Sequence, residues 1–328
     1  MEVEDRAELC FPQFPNTSCR KPLFPWPETL LINIVFYSIS LITVALNLLI
    51  IISISHFRQL HTPTNILLLS LAVSDLLVGL LLMPVEVLRK TSCWFLGDFV
   101  CATHSFISGI IISASIGDMV LISVDRYVAI CDPLHYTTKV TRRRVQFCVC
   151  LCWLYSVSYS FLYLKDLLTQ PQRYNSCYGE CAFVIDNISV TFDLVLSFIV
   201  PVTVIIALYL RVFVVAVSQA RAMRSHITAV TLQLSVTPTT KKSELKAARN
   251  LGVLVVVFLM CFCPYYCFFI AGDNLLSASA SFVIYLFYCN SCLNPMIYAF
   301  LYPWFRKAVK LIVTLQILQP GSSETNML

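Results

Sequence analysis

Seven apolar runs of membrane-spanning length, near residues 30–55, 65–88, 100–124, 145–164, 188–217, 250–272 and 279–301, restrict what this chain can fold into. A bilayer core takes about 20 predominantly apolar residues of helix. Inside it every backbone polar group must be satisfied within the protein, which for runs of this length means α-helices. Any single run could be a buried helix of a soluble domain. Seven of them, with almost no amphipathic surface helix between, would leave nothing to face water. Composition agrees: 58% of the 328 residues are hydrophobic and 12% charged, roughly half the charged share usual in soluble domains. No long polar linker divides the chain. The expected fold is an all-α membrane protein, a seven-helix bundle over 30–302. A tail over 1–29 precedes it, and a short amphipathic eighth helix and tail over 303–328 follow.

Charge asymmetry orients the bundle. Connectors on one side carry Arg58, then Lys139, Arg142, Arg143 and Arg144, then Arg221, Arg224, Lys241, Lys242, Lys246 and Arg249, and finally Arg306, Lys307 and Lys310. Opposite connectors mix Arg89, Lys90, Lys165 and Arg173 with Asp98, Asp166, Glu180 and Asp186. The basic side is expected in the cytoplasm and the amino terminus outside the cell, in a multi-pass protein of the plasma membrane. The net charge of +5 thus reports orientation; the basic residues sit in short loops with no nucleic-acid module. The first 29 residues lack an apolar core, so no cleavable signal peptide is expected. Asn16-Thr17-Ser18 is a glycosylation sequon in an accessible tail. Asn187-Ile188-Ser189 fits the same pattern close to the membrane.

Polar residues inside the spans point to function. The third run, opened by Cys101, ends in Asp125-Arg126-Tyr127, charges that are costly at a span end unless paired. Neighbouring residues of a helix point different ways, so Arg126 is expected to be free to seek a second partner. Asp75 lies in mid-span in the second run, and Ser115 together with Asn290, Ser291 and Asn294 of the seventh are its expected partners. A second acid, Asp118, is expected to bond locally to the fourth span. Pro201 and Pro264 kink the fifth and sixth spans. Asp193, eight residues before Pro201, sits roughly 12 Å nearer the outside. Of fifteen cysteines, Cys148, Cys150, Cys152, Cys261, Cys263, Cys267, Cys289 and Cys292 fall within spans as small apolar side chains. Cys10, Cys19, Cys93, Cys101, Cys177 and Cys181 fall on the oxidising outer side.

The run from Asp125 through Val128, Ala129, Ile130, Cys131, Asp132, Pro133 and Leu134 resembles the end of the third helix in rhodopsin-like G-protein-coupled receptors. Trp153 and Asn294-Pro295-Met296-Ile297-Tyr298 fit the same family. The longer run from Asn290 to Tyr302-Pro303-Trp304-Phe305 is similar to the signature of trace amine-associated receptors, and the likeness extends from about Leu30 to Phe305. The resemblance implies that Arg126, flanked by Asp125 and Tyr127 and working with Asn294, Pro295 and Tyr298, senses the sixth helix and couples to a heterotrimeric G protein. It implies a Cys101–Cys181 bridge, which leaves Cys177 to the tail, through Cys19 with Cys10 as the alternative. It implies that Asp75, Ser115, Asn290, Ser291 and Asn294 hold an allosteric sodium ion, against a plain hydrogen-bond network; no other cofactor is expected.

Two departures matter. The amine-pairing acid of aminergic receptors falls at Ser108 here, and Asp193 takes its place, as in the fish-type branch of the family. Phe262 stands where the family usually has Trp. The expected ligand contacts are therefore Asp193, Ser108, Ile112, Phe262, Tyr265, Tyr266, Phe269 and Tyr288, with Glu86 as the rival anchor. The resemblance implies a sensor of small amines, an olfactory receptor that raises cyclic AMP through a stimulatory or olfactory G protein. A rhodopsin-like receptor for a peptide or lipid is the alternative. A secondary transporter would show inverted repeats and broken helix pairs, and an enzyme a nucleophile with its base or a metal cluster. The chain has neither pattern.

Overall fold

The computed structural model describes residues 8–21, 26–169, 177–181, 187–230, 239–270 and 278–327. Its helices follow the apolar runs in order. They are α1 (Trp26–His56), α2 (Pro63–Thr91), α3 (Gly97–Cys131), α4 (Arg142–Thr169), α5 (187–230), α6 (Thr239–Ile270), α7 (Ala278–Leu301) and the short amphipathic α8 (Pro303–Val313). Among the described residues, five helices (α1 to α5) are long and apolar enough to cross a membrane. Shorter apolar stretches lie in α6 at Gly252–Phe268 and in α7 at Phe282–Tyr298. α3 runs through the middle and packs against α2, α4, α5 and α6.

The bundle is apolar outside and polar within, the reverse of a soluble domain. Leu41 (70% exposed), Leu154 (62%) and Phe282 (67%) face outward, where lipid replaces water. Thr43, Asn47, Ser74, Asp75, Ser115, Asp118, Asn290 and Asn294 are buried between helices. Lipid gives helices no hydrophobic reason to associate, so small residues and inter-helix hydrogen bonds set the packing. Gly117 shows the first device: a Cβ there would lie 2.3 Å from Sγ of Cys152, so α3 and α4 approach this closely only through glycine.

Proline sets the local shape of α2 and α5. Each has one wide turn, at Val78–Leu82 and Leu194–Ile199, just ahead of Pro84 and Pro201. A proline lacks the N–H its helix would use and crowds the carbonyl four residues back. Widening the preceding turn relieves that crowding, and such turns cluster at functional sites. The kink expected at Pro201 therefore takes the form of an inserted residue, which turns the outer end of α5 about its axis. Pro264 and Pro295 lie inside α6 and α7.

At the end where α3 begins, two disulfides tie down the amino-terminal segment, Cys10–Cys93 and Cys19–Cys177, and a third, Cys101–Cys181, ties the 177–181 segment to α3. Residues 8–21 form a small hairpin, with Cys10 N donating to Cys19 O at 2.8 Å. Tyr178 aligns beside it through Cys19 N to Tyr178 O at 2.9 Å and packs on Phe11. Gly179 adopts φ +108° against Cys10, where a side chain would be both strained and crowded. At the other end the chain beyond α8 folds back on the α1–α2 connection. Ser322 Oγ lies 2.9 Å from His56 Nε2, Arg58 meets Glu324 at 3.3 Å, and Met327 is buried.

Candidate ligand and signalling sites

The half-buried carboxylate of Asp193 lies just before the wide turn of α5. Tyr159 Oη of α4 donates to its Oδ1 at 2.6 Å and Ser197 Oγ, one turn along α5, at 2.9 Å. Ser197 Oγ also lies 3.1 Å from Tyr159 Oη. Among the described residues Oδ2 has no hydrogen-bond partner. Aromatic rings lie near this group. Tyr155, Tyr159 and Tyr163 stack along α4 at 5.9 Å spacings. Tyr266 stacks on Phe198 at 4.3 Å and meets Tyr265 edge to face. Asp193 lies within electrostatic reach of Tyr155, Tyr265 and Tyr266.

The other expected ligand contacts divide. Ser108 Oγ is buried with no partner among the described residues. Phe262 is buried between Phe258 and Phe287 at 4.2 and 4.3 Å, and Tyr288 packs against Phe287. Ile112 packs against the main apolar core. The Phe269 side chain lies outside the described residues. Glu86, the expected rival anchor, is already paired. It is 2% exposed, and Arg89, one turn on, covers both its oxygens, Nη2 to Oε1 at 2.8 Å and Nε to Oε2 at 3.0 Å. Arg89 Nη1 then reaches Cys181 O at 3.0 Å. A carboxylate closed by a bidentate guanidinium has little left to offer a cation.

Deeper in the bundle, Asn294 Nδ2 donates to Asp75 Oδ2 at 2.8 Å, and Asn47 Nδ2 to Ser291 O at 3.0 Å. Asp75 Oδ1 and the side-chain oxygens of Asn47, Asn290 and Asn294 are buried with no partner among the described residues. Ser115 and Ser291 are buried too. Buried polar atoms are normally satisfied, so four orphaned oxygens call for something that donates or coordinates. Hard oxygen donors are the set a small alkali cation takes, and the residues fit a sodium ion in chemistry. Asp118 departs from expectation: its Oδ2 accepts from Ser70 Oγ of α2 at 2.8 Å rather than from α4. The fourth helix reaches it at one remove, through Trp153 Nε1 to Ser70 Oγ at 3.0 Å.

At the far end of α3, Arg126 has the expected second partner, Thr64, and keeps Asp125 as its first. The guanidinium folds back onto its own neighbour, with Nε donating to Asp125 Oδ2 at 3.0 Å, and Nη2 bonding both Asp125 and Thr64. Thr64 Oγ1 and Tyr136 Oη donate to the two Asp125 oxygens at 3.0 and 2.9 Å. Burial and the Asp125 charge raise the Tyr136 phenol above its ordinary range, so it stays a donor. Tyr127 packs instead with Ile130 and Val212. Arg126 lies within electrostatic reach of Tyr209 and Tyr302, whose buried hydroxyls, like that of Tyr298, have no partner among the described residues. Pro295 sits inside α7 beside Asn294.

Sequence reasoning had no means to find Tyr159, Ser197, Thr64, Tyr136 or Arg89. Their spacing carries no motif, and only the unexplained charges of Asp193, Asp125 and Glu86 signalled that donors had to exist. Cys93 carried a usable signal: once Cys101–Cys181 and Cys19–Cys177 are taken, it and Cys10 are the two outer cysteines left. Asn16 lies exposed in the turn of the amino-terminal hairpin.

A helical bundle with buried acids along its axis and an acid-arginine cluster at one end fits a membrane receptor, and comparison supplies the class. The family profile described as 7 transmembrane receptor (rhodopsin family) matches residues 46–298. Trace amine-associated receptor 13c of Danio rerio is 36% identical over 98% of this chain and 97% of its own length. Trace amine-associated receptor 7a of Rattus norvegicus is 38% identical over 98% and 92%, and receptor 7e of Mus musculus matches equally. The chain belongs to the rhodopsin family of seven-transmembrane receptors, among the trace amine-associated receptors. It is a multi-pass plasma-membrane protein and not an enzyme.

Proposed function

We propose that this receptor detects small amines by pairing their ammonium with Asp193 and raises cyclic AMP through a stimulatory or olfactory G protein. The observation that carries the reading is the open Oδ2 of Asp193 among aromatic rings. Of the acids near the outer ends of the spans, Glu86 is closed by Arg89, whereas Asp193 keeps an oxygen for a cation. Charge-assisted bonds are the strong ones, and ring faces add attraction for a cation. Ser108 can share a hydrogen bond with the ligand but cannot neutralise it, so the amine points toward α5. The names of the relatives support the ligand class.

In this reading the disulfide end faces outward, Asn16 carries a glycan, and the Arg126 end meets the G protein in the cytoplasm. Agonist binding moves α6 outward and releases Arg126, with Asn294, Pro295 and Tyr298 of α7 following. Asp75, Ser115, Asn290, Ser291 and Asn294 would hold sodium, which would supply positive charge to Asp75 in the resting bundle. The test is a cyclic AMP reporter assay of Asp193→Asn against an amine panel. A close ion pair is worth roughly 4 kcal/mol before desolvation at an effective dielectric near 20. Keeping about 2.7 kcal/mol of it predicts a loss of amine potency of about a hundredfold. Unchanged potency in Asp193→Asn, with loss in Glu86→Gln, would place the anchor on the wrong helix.

A further inference from the structure

We propose that the glycan of Asn16 is a structural part of the outer cover: its first sugar ring packs on the open face of Phe14 and braces the turn of the amino-terminal hairpin. The inference rests on the reading that Asn16 is glycosylated, and concerns what that sugar touches.

The turn is tight and its base is held. Phe14 O accepts from Thr17 N at 3.2 Å and from Ser18 N at 2.9 Å. Ser18 Oγ accepts from Phe11 N at 2.8 Å and donates to Cys19 O at 3.1 Å. Asn16 therefore sits exposed at the tip, two residues beyond Phe14. Two residues of chain span at most about 7 Å, a distance that an Asn side chain carrying one pyranose folds back across. What it meets there is apolar. Phe14 is 49% exposed and Tyr178 56%, and their rings meet edge to face at 5.6 Å. Such a pair uses at most one face of the Phe14 ring, so the other stays open. Tyr178 is itself fixed, with its N–H donating to Thr17 O at 2.6 Å and its carbonyl accepting from Cys19 N at 2.9 Å. An Asn-linked N-acetylglucosamine carries axial C–H groups on one face and its polar groups around the rim. The C–H face suits the negative face of an aromatic ring, through individually weak contacts, while the rim stays in water. Phe14 thereby loses apolar exposure and no polar group is left unpaired.

The experiment follows amide hydrogen exchange of residues 11–19 by mass spectrometry in purified full-length receptor. Three forms are compared: intact glycan, glycan trimmed to its first N-acetylglucosamine, and no glycan (Asn16→Gln). The trimmed form is expected to exchange as the intact one does, and the sugar-free form about fivefold faster. In Phe14→Ala the sugar has no ring to pack on, so exchange should be equally fast with the glycan and without it. Phe14→Leu, apolar but lacking a ring face, should behave likewise and covers the case in which alanine unsettles the hairpin. Phe14→Tyr keeps the ring and should keep the dependence on the sugar. A glycan effect of the same size with and without the ring would overturn the proposal, as would no effect in the unaltered receptor. Protection lost on trimming to one sugar would overturn it too. A residue 8–21 peptide whose mass shows Asn16 unmodified would instead remove the glycosylation reading on which the proposal stands.

Discussion

Asp193 and Asp125 are both acids at opposite ends of the same bundle, and their neighbours have left them in opposite conditions. Asp125 is 3% exposed and accepts from Arg126, Thr64 and Tyr136, so both its oxygens are occupied. Asp193 is half-buried, and its donors gather on one oxygen. What an acid does in a membrane protein follows from how its neighbours distribute donors over it. A carboxylate with donors on both oxygens and a cation against it is a latch. One with an oxygen left over is a receptacle. Glu86 belongs with the latches despite its place near the outer end of α2, because Arg89 covers it.

The contrast can be broken most severely at Arg126. Arg126→Ala should abolish ligand-driven cyclic AMP while receptor remains detectable at the cell surface by antibody. Full output from that variant would remove the latch from signalling altogether. Asp125→Asn and Asp193→Asn form the next test. The first leaves a buried guanidinium without its counter-charge, which costs about 3–5 kcal/mol and should appear as lowered thermal stability of purified receptor together with raised basal cyclic AMP. The second keeps a hydrogen-bond acceptor for Tyr159 and Ser197 and should cost less than about 1 kcal/mol, with basal output unchanged. Equal destabilisation by the two would mean that they are not differently loaded. The third test concerns the cover over the Asp193 end. Cys101→Ser should lower stability by about 2–5 kcal/mol, and Cys177→Ser by less. Cys19–Cys177 closes the longer loop, 158 residues against 80. A doubling of loop length adds only about 0.6 kcal/mol, and the buried Cys101 on α3 outweighs that. Paired melting curves decide it.

Much of this was legible because the bilayer imposes a length and a polarity that one-dimensional sequence records directly. The helices lie where the apolar runs are, and a buried acid such as Asp193, Asp75 or Asp118 stands out as a cost in need of a reason. The partner that meets the cost is harder to see. Tyr159 lies 34 residues from Asp193 in a helix rich in aromatics, where one more tyrosine reads as packing. Thr64 lies 62 residues from Arg126 and is one hydroxyl among many. Asp118 shows both sides at once: its burial was evident, but nothing in the sequence said that Ser70 of α2, rather than α4, would supply its donor. The inserted residue before Pro201 was equally hidden, since proline announces a disturbance without saying whether the helix bends or widens.

The paired bridges of the amino-terminal hairpin bear on how the receptor would survive proteases. The exposed turn around Pro15 and Asn16 lies between Cys10 and Cys19, and each of those cysteines is bound to a different part of the bundle. A cut in that turn would release nothing. Both severed ends would stay attached, one through Cys93 and the other through Cys177, and the nick would appear only once the bridges were reduced.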